Sequence, residues 1–235
     1  MPQNYFVTGL PKTGKTTVLW KLVKELKEEG LKVGGFLSPG EKHHGSRTGF
    51  HIIDVDTGKE AMLADVHGDG PKVSKYHVNL KSFESVAVPC MKNCKKYDVF
   101  FIDEIGSMEM KSTKFGRALD DVLDSHVPLI ASINDRYIPK FKAFGEVVEI
   151  KQGNRGIVHN KLLKAGKTLK VKKVPPRKKK ISKKKMRKSV KKKPVRKPVK
   201  KKPPVKKPVE EKPKPVVKPA KKKGFFGKIK GMFGL

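Results

Sequence analysis

The segment Gly9-Leu10-Pro11-Lys12-Thr13-Gly14-Lys15-Thr16 matches the pattern G-x-x-x-x-G-K-[ST], and it constrains the fold more than any other feature of the chain. The apolar run Tyr5-Phe6-Val7 precedes it, and a helix-like stretch from Thr16 to Glu29 follows. In a strand–loop–helix setting, the backbone N–H groups of the loop and helix start, Gly9 through Thr17 with Pro11 excepted, converge on phosphate, backed by the positive end of the helix dipole. Lys15 then reaches the β- and γ-phosphates, and the Thr16 hydroxyl is a ligand for Mg²⁺. The pattern implies a site for a nucleoside triphosphate such as ATP or GTP.

A second half of such a site lies downstream. Val99-Phe100-Phe101-Ile102 is a short, continuous apolar run, as expected for a strand buried on both faces of a parallel sheet. It ends in Asp103-Glu104, and a carboxylate at the C-terminal tip of such a strand falls in the crevice where open α/β sheets bind ligands. Asp103 is expected to hold Mg²⁺ directly or through water. Glu104 is expected to orient or deprotonate a water aimed at the γ-phosphate.

The charge is divided unevenly. Residues 1–160 hold 23 basic and 20 acidic residues, whereas residues 161–235 hold 33 and 2. The net charge of +34 therefore describes a tail. The part that precedes it is long enough for one domain with its own core. From Val171 to Lys223 the chain repeats Lys, Pro and Val without an aromatic residue, which predicts a disordered, extended polycation. The reading is a domain at 1–165, a linker at 166–223 and an amphipathic segment at 224–235. Cys90 and Cys94 lack further ligands at metal-site spacing and read as free thiols. No signal peptide or spanning-length apolar run is evident, so the expected location is cytoplasmic.

Alternating patterns predict strands at 4–8, 33–38, 50–55, 60–64, 76–80, 98–103, 128–133 and 147–150. Helices are expected at 15–29, 82–96, 112–125 and 137–144, with a last one beginning near Asn154. Pro89 should weaken or bend the second of these. The strands around Asp56-Thr57-Gly58-Lys59 read as a hairpin. The fold class is thus α/β, a mostly parallel central sheet flanked by helices, with a small antiparallel hairpin insert.

At Asp103-Glu104-Ile105-Gly106-Ser107-Met108-Glu109 the sequence resembles the cancer-related nucleoside-triphosphatase family of small P-loop NTPases. Arg47-Thr48-Gly49-Phe50, Ser112 with Phe115, and Asn154-Arg155 resemble further segments of that family. The likeness covers residues 4 to about 163. It implies slow, Mg²⁺-dependent hydrolysis of nucleoside triphosphates with broad base preference, and it adds Ile105 and Gly106 to the nucleotide site. The sequence departs from the family at Lys42-His43-His44, where an additional Arg is often found, and in its polar loop interior Pro11-Lys12-Thr13.

A cation near the leaving oxygens would assist phosphoryl transfer. Arg47, Arg117, Arg136 and Arg155 are available, and Arg47 is preferred because it precedes Gly-Phe in an expected loop. His43, His44 and His51 read as loop and strand residues, and Glu109 and Asp98 as structural or exposed. The alternative within enzymology is a nucleotide or polynucleotide kinase, disfavoured because no Arg-rich lid is evident. The polycationic tail fits salt-dependent, nonspecific contact with nucleic acid or an anionic membrane. Residues 224–235 carry apolar side chains on a helix-like stripe that suits either a membrane surface or a protein groove.

Overall fold

A computed structural model describes residues 4–43 and 46–169. The expectations for the linker, the terminal segment and His44 fall outside the described residues. Five strands run parallel: β1 (Tyr5–Thr8), β2 (Val33–Leu37), β8 (Val99–Ile105), β9 (Leu129–Ile133) and β10 (Glu146–Glu149). Their order is β10-β1-β9-β8-β2. Beyond β2 the sheet continues antiparallel through β4 (Ser46–Asp54), β5 (Glu60–Asp65), β7 (Tyr76–Val78) and β6 (Lys72–Val73), while β3 (Gly40–His43) pairs with β4. The expected hairpin is present as β4–β5, closed by an Asx turn in which Asp54 Oδ1 accepts the N–H groups of Asp56 and Thr57. The strands β3 and β6 extend it and carry no apolar alternation that would announce them.

Side-chain alternation along β8 divides the interior into two cores. Val99 and Phe101 pack with Val18, Leu19 and Leu22 of α1 (Lys15–Glu28) and with Leu162 of α5 (Arg155–Leu169). Phe100 and Ile102 pack on the other face, with Phe83 of α2 (Leu80–Lys92) and Phe115 of α3 (Thr113–Leu123). Phe36, Phe83 and Phe115 form a mutual aromatic cluster with ring centroids 5.5–6.1 Å apart.

The helix termini follow sequence chemistry. Asn79 caps α2 by accepting the Ser82 N–H, and Ser112 caps α3 by accepting the Phe115 N–H. Helix α2 runs through Pro89 to Lys92, and a 3₁₀ turn follows at Cys94–Lys96. Proline removes the N–H that would bond the Ser85 carbonyl, and Lys59 Nζ donates to that carbonyl instead, at 3.2 Å. The short helix α4 (Ile138–Phe141) stands where a helix over 137–144 is expected, flanked by 3₁₀ turns. Cys90 and Cys94 are free and buried, and burial pushes the Cys90 thiol up. Among the described residues no helix is long and apolar enough to cross a membrane.

Candidate active site

The chain passes from β1 into α1 through residues 9–14, and two glycines make the turn possible. Gly9 adopts φ 143°, and a Cβ there would stand 2.4 Å from the Ile150 carbonyl oxygen. Gly14, at φ 98°, precedes the first helical residue and offers no side-chain cap, so nothing competes for the opening amides of α1. The Thr13 hydroxyl and N–H both donate to the Leu10 carbonyl, tightening the turn over Pro11 and Lys12. Lys15 Nζ folds back to donate to the Gly9 carbonyl at 2.7 Å.

The acids arrive from β8, which is not a neighbour of β1. Strand β9 runs between them, so loop and acids are offset by two strand spacings, about 10 Å at the sheet. A bulge marks that end of β8. Ile102 and Ile105 of β8 oppose Ala131 and Ile133 of β9, so the extra residue falls in the segment that holds Asp103 and Glu104. Asp103 is buried, and Thr16 lies close enough for its hydroxyl to lower the pKa of the Asp103 carboxyl. On the other side Ser132 Oγ donates to Asp103 Oδ1 from the tip of β9, and the Ser38 N–H approaches Oδ2 at 3.5 Å.

Burial pushes the Asp103 carboxyl above the usual range, opposed by hydrogen bonds from Ser132, Thr16 and the Ser38 amide and by the charge of Lys15. Glu104 is half-buried beside it. Its pKa is raised first by burial and then by the charges of Asp103 and Asp135, while Lys15 opposes the rise. Asp135, after β9, accepts a hydrogen bond from Thr8 Oγ1 at the end of β1.

Oxygen donors from Thr16 and Asp103 suit a hard divalent cation that keeps much of its water. Ser38 Oγ, buried next to Asp103, has no hydrogen-bond partner among the described residues, as befits a group beside an ion or its water. No cluster of three or more His, Cys, Asp or Glu exists among the described residues, so protein carboxylates alone do not build a metal cage.

The arginines separate. Arg47 lies over the Phe50 ring at 5.1 Å and against Gly40, two residues beyond Ser38, and its buried Nε has no partner. It therefore stands on the acid side. Arg155, at the start of α5, donates from Nε to the Thr13 carbonyl at 2.6 Å and lies on the outer side of the loop. Among the described residues, no hydrogen bond or ion pair joins the Arg117 or Arg136 side chain to the loop or the acids. His51 meets Glu41 at 3.0 Å. Glu109 takes the structural of its two expected alternatives. It is buried in the 3₁₀ turn Glu109–Lys111, its Oε2 is 2.8 Å from where a Gly106 side chain would begin, and its pKa is pushed up to about 8 by burial and by Glu104. Ser132 escapes sequence reading because it belongs to no local chemical pattern, whereas Glu109 closes the segment that begins with the two acids.

The model of a family described as NTPase matches residues 4–163, most of the chain. The chain belongs to the NTPase family. Nucleoside-triphosphatase THEP1 of Methanocaldococcus jannaschii is 42% identical over 160 residues, covering 67% of this chain and 94% of that protein. The same-named protein of Pyrococcus abyssi is 35% identical over 161 residues, covering 68% and 90%. The crystal structure of THEP1 from the hyperthermophile Aquifex aeolicus aligns with TM-score 0.59 and 31% identity, covering 68% of this chain and 97% of that one. The solution structure of a human cancer-related nucleoside triphosphatase aligns with TM-score 0.60 and 26% identity, covering 70% and 97%. This NTPase is thus a nucleoside-triphosphatase whose substrate is a nucleoside triphosphate, and the family in general uses a divalent metal.

Proposed function

We propose that the enzyme hydrolyses nucleoside triphosphates, ATP and GTP among them, to the diphosphate and phosphate with Mg²⁺, and that it turns over slowly. The reading is supported by one juxtaposition: Thr16, at the end of the loop, is among the groups that hold the buried Asp103 carboxyl down, which brings the loop to the acid-bearing strand. Thr16 and Asp103 are the residues that would hold Mg²⁺. When bound, the ion offsets charge on the β- and γ-phosphates. The amides of residues 9–17 cradle the phosphates, apart from Pro11, which has no N–H, and Thr13, whose N–H goes to the Leu10 carbonyl, and Lys15 leaves the Gly9 carbonyl for the β/γ oxygens. Glu104 accepts a proton from the attacking water, and its raised pKa makes it a stronger base than an exposed carboxylate. Arg47 faces the γ-phosphate from the acid side, with its unpartnered Nε. Ile105 and Gly106 fix the turn that follows Glu104.

Residues 1–165 act as the catalytic domain. The linker 166–223 acts as a polycationic tether to nucleic acid or an anionic membrane, and 224–235 inserts at a membrane surface or a protein groove. The setting proposed is cytoplasmic, with the tether holding the enzyme at such a surface. Retention of the full chain on neither DNA nor anionic vesicles at low salt removes the tether reading.

The hydrolytic reading is tested with Glu104→Gln. Nucleotide binding should persist while phosphate release falls by about 10²–10⁴-fold. Hydrolysis at the parent rate would show that Glu104 is not the base. Adding nucleoside monophosphates to the parent assay separates hydrolysis from kinase activity, since a kinase would diminish phosphate release and form new diphosphate.

A further inference from the structure

We propose that Arg155 is the base-contacting residue of this site, carrying the nucleotide base on the flat face of its guanidinium. The inference rests on the reading above, in which the γ-phosphate lies at Glu104. Arg155 Nε donates to the Thr13 carbonyl, and a Cβ built on Gly14 would meet that Nε at 3.0 Å and Cζ at 3.3 Å. The guanidinium thus lies against the bare backbone of Gly14, in space that any other residue there would fill.

Which part of the nucleotide it meets follows from the peptide plane. In a trans peptide the C=O of Thr13 and the N–H of Gly14 point in opposite directions. The carbonyl is spent on Arg155, so the amide of the same unit faces the other way, toward the phosphates. Arg155 therefore stands outside the phosphate cradle. Direction along the sheet gives the same answer. The acids lie two strands from β1 on one side, and Arg155 follows β10, the neighbour of β1 on the other. A triphosphate with its γ-phosphate at Glu104 runs along the loop and releases its nucleoside toward β10 and the start of α5.

The chemistry at that exit is that of a face rather than an edge. Arg155 is exposed, and among the described residues no carboxylate pairs with it, so its charge and its plane remain available. The adjacent amide that could read a base edge is already engaged. Asn154 Oδ1 accepts the Lys151 N–H at 2.7 Å and its Nδ2 donates to the Glu149 carbonyl at 3.0 Å. Every base has a π face, so a stacked guanidinium binds purines and pyrimidines alike.

The test compares nucleotides with inorganic tripolyphosphate on the full chain, by displacement of a fluorescent nucleotide analogue from the site. Arg155→Ala should weaken ATP, GTP, CTP and UTP alike, by roughly three- to tenfold, and leave tripolyphosphate unchanged. Arg155→Lys retains a donor for the Thr13 carbonyl without the planar face, and should show the same loss. Equal weakening of tripolyphosphate would make Arg155 a loop-shaping or phosphate residue and overturn the assignment. So would weakening of one base alone, unchanged nucleotide affinity, or full recovery by lysine. Phosphate release by the parent chain, measured alongside, stands apart from these outcomes: its failure refutes the hydrolytic reading, whatever Arg155 does.

Discussion

The acid end of the cradle and its nucleoside end are built differently. Asp103 is 3% exposed and meets Ser132, Thr16 and the Ser38 amide, donors from three separate segments. At the other end Arg155 is exposed, and among the described residues its side chain bonds a single carbonyl. A buried carboxylate held by several donors has little freedom to reorient, and its interactions act through a low dielectric. An exposed guanidinium is screened and mobile, so it contributes modest affinity and little geometric constraint. Chemistry needs the first kind of site, whereas a substrate recognised by its phosphates tolerates the second. The comparison makes a directional claim: damage at the acid end should appear in turnover or metal binding, and damage at the nucleoside end in nucleotide affinity alone.

The largest effect belongs to the lysine that reaches the β- and γ-phosphates. Lys15→Ala should abolish measurable phosphate release, a loss of about 10³-fold or more, since its charge acts directly on the β/γ oxygens. Turnover within tenfold of the parent would break the proposed geometry. Arg47→Ala comes next and sharpens the contrast between the two arginines. It should lower kcat by roughly 10²-fold with little change in nucleotide Kd, the reverse of the pattern at Arg155. Because Arg47 also packs on Phe50, circular dichroism must show the variant folded. A folded variant that loses affinity and keeps kcat would reverse the roles of the two ends. Ser132→Ala removes the hydroxyl that orients Asp103 without touching nucleotide. Metal titration of nucleotide-bound protein should show a loss of about tenfold in apparent Mg²⁺ affinity. Unaltered affinity would mean that Thr16 and the backbone suffice to hold the carboxylate.

What could be read in advance follows the range of the interactions. The loop at 9–16 and the apolar run ending at Asp103 are local patterns, and each maps onto the element expected of it. The contact between Thr16 and Asp103 needed only the general rule that ligands gather at the C-terminal ends of parallel strands. Ser132 sits in the run Leu129–Ile133, where a small hydroxyl looks like an ordinary core residue until β9 is placed beside β8. Arg155 contacts Thr13 across 142 positions of sequence, and no local pattern carries such a pairing. The antiparallel extension was partly hidden for a different reason. Glu41-Lys42-His43 and Lys72-Val73 are short, polar edge strands, recruited by β4 and β7 rather than by their own propensity.

Glu109 gives the smallest effect on turnover and the clearest effect on stability, and it tests how far the acid end is over-built. Its carboxyl is pushed up to about 8 from an ordinary value of 4.5, first by burial and then by the charge of Glu104, with the Gly106 amide opposing. The folded state therefore binds a proton that the unfolded chain has released across that interval. Stability from this group is fully present below 4.5 and is lost as pH rises through about 8. In metal-free protein the parent should melt at progressively lower temperature over that window. Glu109→Gln, which cannot ionise, should flatten the decline and gain about 1–2 kcal/mol at its alkaline end. A residual slope from Glu104, which shifts in the same direction, should remain in the variant. Were the parent and variant curves parallel from acid to alkaline pH, Glu109 would be ionised in the fold, and the acid end would contain a compensating cation that its geometry does not reveal.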